Sequence, residues 1–153
     1  MKIVSKDALQ SYVGKSLGAS EWFQIDQYRI NAFADATLDH QFIHVDEEKA
    51  KHTPFGTTIA HGFLTLSLLP YFQTTMQEMI VPEGLKMGMN YGFDKIRFLA
   101  PVKVGSKVRA VAVLKELTEK KPGQYLFSVE MSVEIEGEDK PALISDWLLM
   151  YFV

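Results

Sequence analysis

From Phe127 to Glu136 the chain alternates without a break. Phe127, Val129, Met131, Val133 and Ile135 are apolar, and Ser128, Glu130, Ser132, Glu134 and Glu136 between them are polar. A period of two is that of a strand with one face in a core and the other in water, and such strands belong to antiparallel sheets. Lys107–Leu117 is the expected partner across the turn at Lys121-Pro122-Gly123. The stretch Trp147–Val153 is continuously apolar and reads as a strand covered on both faces.

The first half of the chain has helical signals instead. Ser5 is placed to cap a short helix with Leu9, Tyr12 and Val13 on one face, closed by Gly14. Asp26 is the expected N-cap of a helix whose inward face is Ile30, Phe33 and Ala34 and which ends near Thr37, leaving Asp39–His44 on a loop. Asp46 caps a further short helix with acids in its first turn, where the dipole favours them. The run from Gly62 to about Ile80 is apolar almost all round, the mark of a helix buried on most sides, with Pro70 expected to kink or divide it. A long buried helix followed by long antiparallel strands predicts an α+β layer, a curved sheet wrapped around that helix. So small a sheet leaves edges, which predicts pairing with a second copy.

Length and composition narrow the function. The 153 residues suit one domain, 1–153, with a real core, and the 47% apolar and 23% charged shares are those of a globular protein. A net charge of −3 with no basic stripe makes nucleic acid an unexpected partner. The absence of cysteine removes disulfides, Cys-ligated zinc and thiol chemistry, and fits a reducing cytoplasm. The N-terminus turns polar too early for a secretory signal. The one candidate span, 63–80, holds too many polar groups to lie in lipid, so no membrane role is expected.

The acid–base groups cluster. Asp39-His40-Gln41-Phe42-Ile43-His44-Val45-Asp46 sets a carboxylate and an imidazole close together, and His61-Gly62-Phe63-Leu64 opens the apolar helix. In a dry pocket Asp39 and His44 can share one water, one accepting its proton while the other orients or donates; such transfer is worth about 10²–10⁴-fold in rate. The plainer account of the same residues is a turn-capping Asp39 and a core His44. Gly62 offers free N–H groups and a positive dipole end to a carbonyl oxygen, or merely a tight start to its helix. His40 and His44 are four apart, but Gln41 stands where the zinc-protease pattern needs Glu, so no metal is expected. Lys95, Arg97, Lys103, Lys107 and Arg109 read as a solvated sheet rim rather than a phosphate site.

At these residues the chain resembles a known family. Phe33–Asp46, together with Ile59-Ala60-His61-Gly62-Phe63-Leu64, looks like the hydratase motif of the MaoC-like dehydratases, the (R)-specific enoyl-CoA hydratases of hot-dog fold. Asn90-Tyr91-Gly92 and the Asp-His-Gln-aromatic run resemble the nodulation-protein-N-like branch. The resemblance implies a homodimer and syn addition of water to a trans-2-enoyl-CoA, giving the (R)-3-hydroxyacyl-CoA, with no metal or redox cofactor. It implies that Asp39 and His44 hold and activate the water and that the Gly62 N–H binds the thioester oxygen. Gln41 is a further substrate-side group, and Ser67, deeper in the helix, is placed to contact the catalytic group. The pattern departs from typical members at three positions: Leu38 stands for glycine, Gln41 for asparagine and Phe42 for proline. Two rival readings use the same residues, an acyl-CoA thioesterase with Asp39 as base or nucleophile, and a non-catalytic acyl-thioester binding protein.

Overall fold

The computed structural model describes residues 1–153. Strand β1 (Lys2–Val4) leads into α1 (Lys6–Leu9), which continues as a 3-10 turn over Gln10–Tyr12. Ser5 precedes α1 in extended conformation, but its hydroxyl makes no capping bond. Short strands β2 (Ser16–Ala19) and β3 (Phe23–Gln24) follow, then α2 (Gln27–Thr37). The local signals hold here: Asp26 accepts the Arg29 N–H at 2.8 Å, and the helix stops at Thr37. Where a loop was expected, Phe42–Val45 forms a single helical turn, α3, and His44 lies in it. In α4 (Glu47–Ala50) Asp46 caps as predicted, accepting the Lys49 N–H at 3.0 Å.

The apolar run is not one long helix. It divides into α5 (Gly62–Ser67) and α6 (Leu69–Thr75), and it ends at Thr75 rather than near Ile80. Pro70 is the cause of the division: it has no N–H to give the Leu66 carbonyl, and its ring crowds that same group. Met76 and Met79 still bury their side chains, so the run stays apolar after the helix has finished. Ile80–Pro82 is strand β4, paired in parallel with β1.

The rest of the chain is sheet. Strands β5 (Met87–Phe98), β6 (Lys107–Lys121), β7 (Gln124–Ile135) and β8 (Leu143–Phe152) join β2 in the order β2-β6-β7-β8-β5, with β3 also on β6. Each neighbouring pair is antiparallel, and β6 and β7 form the predicted hairpin. Phe127, Val129, Met131, Val133 and Ile135 all face inward and are buried, as their alternation requires. In β8 the prediction of two covered faces is corrected. Trp147, Leu149 and Tyr151 are buried, while Leu148, Met150 and Phe152 on the other face are only half-buried.

The buried residues of β6, β7 and β8 share one core with Leu64, Leu69 and Phe72 of α5 and α6, so the sheet wraps the helical pair. This is the hot-dog arrangement, an α+β fold. Two of the outer basic residues are in ion pairs across the β6–β7 pair: Arg109 with Glu134 at 2.7 Å and Lys107 with Glu136 at 3.8 Å. No helix is long and apolar enough to cross a membrane.

Candidate active site

Helix α2 and the start of α5 bring the motif together. After Thr37, Leu38 turns the chain in the left-handed region (φ 63°, ψ 18°), which ends α2 and throws Asp39 back toward the α5 start. This position needs a positive φ, which accounts physically for glycine being the easier residue there. His40 stays outside, exposed, its Nε2 2.8 Å from Asp35. The single turn of α3 then carries His44 inward, where it is 7% exposed.

His44 is tightly held. Its Nδ1 is 2.7 Å from the Ile59 carbonyl, an acceptor only, so Nδ1 carries the proton and Nε2 keeps a free lone pair. The Ile59 N–H returns a bond to the Ile43 carbonyl at 3.0 Å, locking α3 to the strand-like segment that precedes α5. The Gln27 side chain adds a brace, donating to the His44 carbonyl at 2.8 Å and accepting from the Thr58 hydroxyl at 2.5 Å. Burial pulls the His44 pKa below the ordinary imidazole value. The Ile59 carbonyl opposes that shift, His61 reinforces it and the Asp39 carboxylate opposes it. The ring is therefore poised as a neutral base at physiological pH.

The Asp39 carboxylate and one ring nitrogen each of His44 and His61 lie within 4.8 Å of one another. Asp39 also accepts the Gln41 N–H, at a long 3.4 Å, so it is both a turn-capping group and a neighbour of His44. Three such groups could suggest a metal, but the two imidazoles stack face to face, centroids 3.8 Å apart and planes 24° from parallel. Ring lone pairs lie in the ring planes, and stacked rings cannot aim two of them at one ion. The donor set does not fit a metal centre.

Beside His44 opens a cavity of about 440 Å³, walled by Phe55, Ile59, Gly62, Thr65 and Phe98 among others. Its lining is mostly apolar with a few polar groups, the make-up of a small-molecule site. Gly62 is needed here: a Cβ on it would sit 2.8 Å from the Phe98 ring. The Gly62 N–H begins α5, so it has no helical acceptor of its own.

The expected residues are not all gathered. His44 and Gly62 line the cavity, and Asp39 stands behind them, its carboxylate within 4.8 Å of a His44 ring nitrogen. Gln41 reaches Asp39 through its backbone N–H, and its side chain is at an exposed position. Ser67 is exposed and turned back along its helix, its hydroxyl donating to the Phe63 carbonyl at 2.7 Å. Thr65, one turn after Gly62, takes the place in the cavity wall that Ser67 was expected to approach. Helical spacing from Gly62 was the signal that could have found it, since residues three apart share a face. His61, which the motif named without a role, is 3% exposed and contacts both Asp39 and His44.

Comparison with known proteins gives the family and the fold. Over 143 residues the chain is 47% identical to the 3-hydroxyacyl-thioester dehydratase Z of Mycobacterium tuberculosis, covering 94% of this chain and 93% of that protein. It is 49% identical over 139 residues to nodulation protein N of Rhizobium leguminosarum bv. viciae, covering 90% and 85%. Among solved structures, an (R)-hydratase from A. caviae involved in PHA biosynthesis superposes with a TM-score of 0.71, at 23% identity, over 90% of this chain and 94% of that one. That likeness carries the fold. The profile of the MaoC like domain matches residues 8–137, which takes in α2, the acid–base loop, both central helices and most of the sheet, and the chain belongs to that family of dehydratases and hydratases.

Proposed function

We propose that the protein is an (R)-specific enoyl-CoA hydratase, adding water syn to a trans-2-enoyl-CoA and running the reverse dehydration of the (R)-3-hydroxyacyl-CoA. The observation that carries the reading is the pairing of the Asp39 carboxylate with a neutral, fixed His44 imidazole at the edge of an apolar cavity. The names of the sequence relatives, a 3-hydroxyacyl-thioester dehydratase among them, support a thioester substrate.

In this mechanism a water sits between the His44 Nε2 lone pair and the Asp39 carboxylate. The enoyl thioester lies in the cavity with its carbonyl oxygen on the Gly62 N–H. As the water oxygen bonds to C3, one water proton passes through the acid–base pair to C2 on the same face. The double bond is lost, and the enzyme groups end as they began. Negative charge that develops on the thioester oxygen is met by the Gly62 N–H and the first turn of α5. The thioester itself makes C3 electrophilic, so the reaction calls for no metal or redox cofactor.

We further propose that the working unit is a homodimer. β5 is an edge strand with Met87, Met89 and Tyr91 at 48%, 49% and 63% exposure, a row of apolar side chains beside unpaired backbone groups. Its far end carries Phe98, so pairing there would put a second copy next to the cavity wall.

Asp39→Asn and His44→Ala test the chemistry. Each is expected to lower kcat for enoyl-CoA hydration by about 10²–10⁴-fold, the usual worth of a positioned acid or base, while each variant keeps the far-UV circular dichroism spectrum of the unaltered protein. Near-normal hydration by both variants would exclude these roles.

A further inference from the structure

We propose that His61 is a positioning residue: one hydrogen bond and one ring face of this buried imidazole set where Asp39 and His44 stand relative to each other. The inference rests on the hydratase reading for its kinetic form, and on geometry alone for its structural form.

His61 Nε2 lies 2.9 Å from the Asp39 backbone carbonyl. A carbonyl only accepts, so Nε2 carries the proton and donates it. This bond catches Asp39 just after Leu38 has turned the chain out of α2. Asp39 sits at an exposed position, and its carboxylate is otherwise restrained only by the long bond from the Gln41 N–H. The opposite requirement, keeping His44 from moving, is met by contact of ring faces: His61 stacks on His44 at 3.8 Å and is backed by Phe33 at 5.0 Å. One side chain therefore touches both acid–base groups and fixes the gap between them.

The remaining nitrogen sharpens the point. His61 Nδ1 is buried and has no hydrogen-bond partner. A residue present only to fill space between Phe33 and His44 would carry no such unmatched polar atom, since an apolar ring packs there without that penalty. The imidazole is needed for the one bond it does make. Because that bond is to backbone and the ring faces His44 rather than the cavity, His61 acts through the other two groups.

Three variants separate the parts. His61→Phe keeps a ring against His44 and removes the donor. His61→Asn removes the donor at that reach while staying polar. His61→Gln restores an N–H near the position of Nε2. With crotonyl-CoA, the Phe and Asn variants are expected to lose about 10–100-fold in kcat with KM nearly unchanged, as displacement of a catalytic group by about 1 Å does. The Gln variant, which keeps the bond and lacks the ring face, should recover part of the loss. Hydrogen exchange of the Gln41 amide should quicken in the Phe and Asn variants and stay slow in the Gln variant. Equal kcat in all three variants, or a loss that appears in KM instead, overturns the inference. If the unaltered protein hydrates no enoyl thioester, the functional reading falls and the exchange data decide alone. Gln41 protection that is the same with and without the donor then overturns the positioning role.

Discussion

His44 is held neutral by its burial, against the pull of the Ile59 carbonyl, which favours the charged ring. Burial lowers its pKa, and the bond to the Ile59 carbonyl fixes which nitrogen is bare. The consequence for pH has a definite sign. Between the folded value and the ordinary 6.5, the unfolded chain binds a proton that the folded protein does not. The stability contribution of neutral His44 is therefore complete above 6.5 and is lost as pH falls through the lower, folded value. The same titration governs the base. The acid limb of kcat/KM for hydration should have its midpoint below 6.5, and His44→Ala should remove that limb's contribution from the stability curve measured by urea titration at several pH values. A midpoint above 6.5 would contradict the lowering of the His44 pKa by its burial.

The elements show what a local reading reaches and where it stops. The Asp26 and Asp46 caps, the end of α2 and the β6–β7 hairpin were all legible, because each depends on residues within one or two turns or on strict alternation. The end of the central helix was not. Met76, Met79 and Ile80 are as apolar as the helix before them and stay buried as loop and strand, so hydrophobicity carries no stop signal. The α3 turn also escaped, since its placement rests on Gln27 and Ile59 from other parts of the chain. Leu38 is a case between the two: the end of α2 was visible, the left-handed turn that makes it was not. Leucine in that region costs about 1–2 kcal/mol, and glycine returns part of this as unfolded-chain entropy. Leu38→Gly should thus leave the fold unchanged and stabilise it by up to about 1 kcal/mol in urea unfolding. A clear destabilisation would show that Leu38 makes packing contacts its exposed side chain does not suggest.

At the scale of the molecule, the sheet and its helical pair form a shared inner core, while the two ends of the sheet, β2 and β5, are left with one neighbour each. β6, β7 and β8 each have a neighbour on both sides, and β5 has one. The alternation in β7 predicted the covered face, but nothing in β5 distinguished it as an edge, because edge character is a property of the assembled sheet. A lysine in the middle of an exposed apolar edge is a strong deterrent to pairing. The unaltered protein should sediment at twice its 17.3 kDa chain mass, and Met89→Lys should shift it toward the single-chain value. Unchanged sedimentation in Met89→Lys would place the dimer contact elsewhere.

The most direct test of the central claim follows the conjugated-enoyl absorbance while the purified protein is mixed with crotonyl-CoA, with a thiol reagent run in parallel on a saturated acyl-CoA. Hydration through Asp39 and His44 predicts loss of the enoyl signal, no release of thiol, and a 3-hydroxyacyl product of (R) configuration. Thiol release from the saturated thioester would contradict the account and point to hydrolysis on the same scaffold, and an enoyl signal that never changes would contradict it as well.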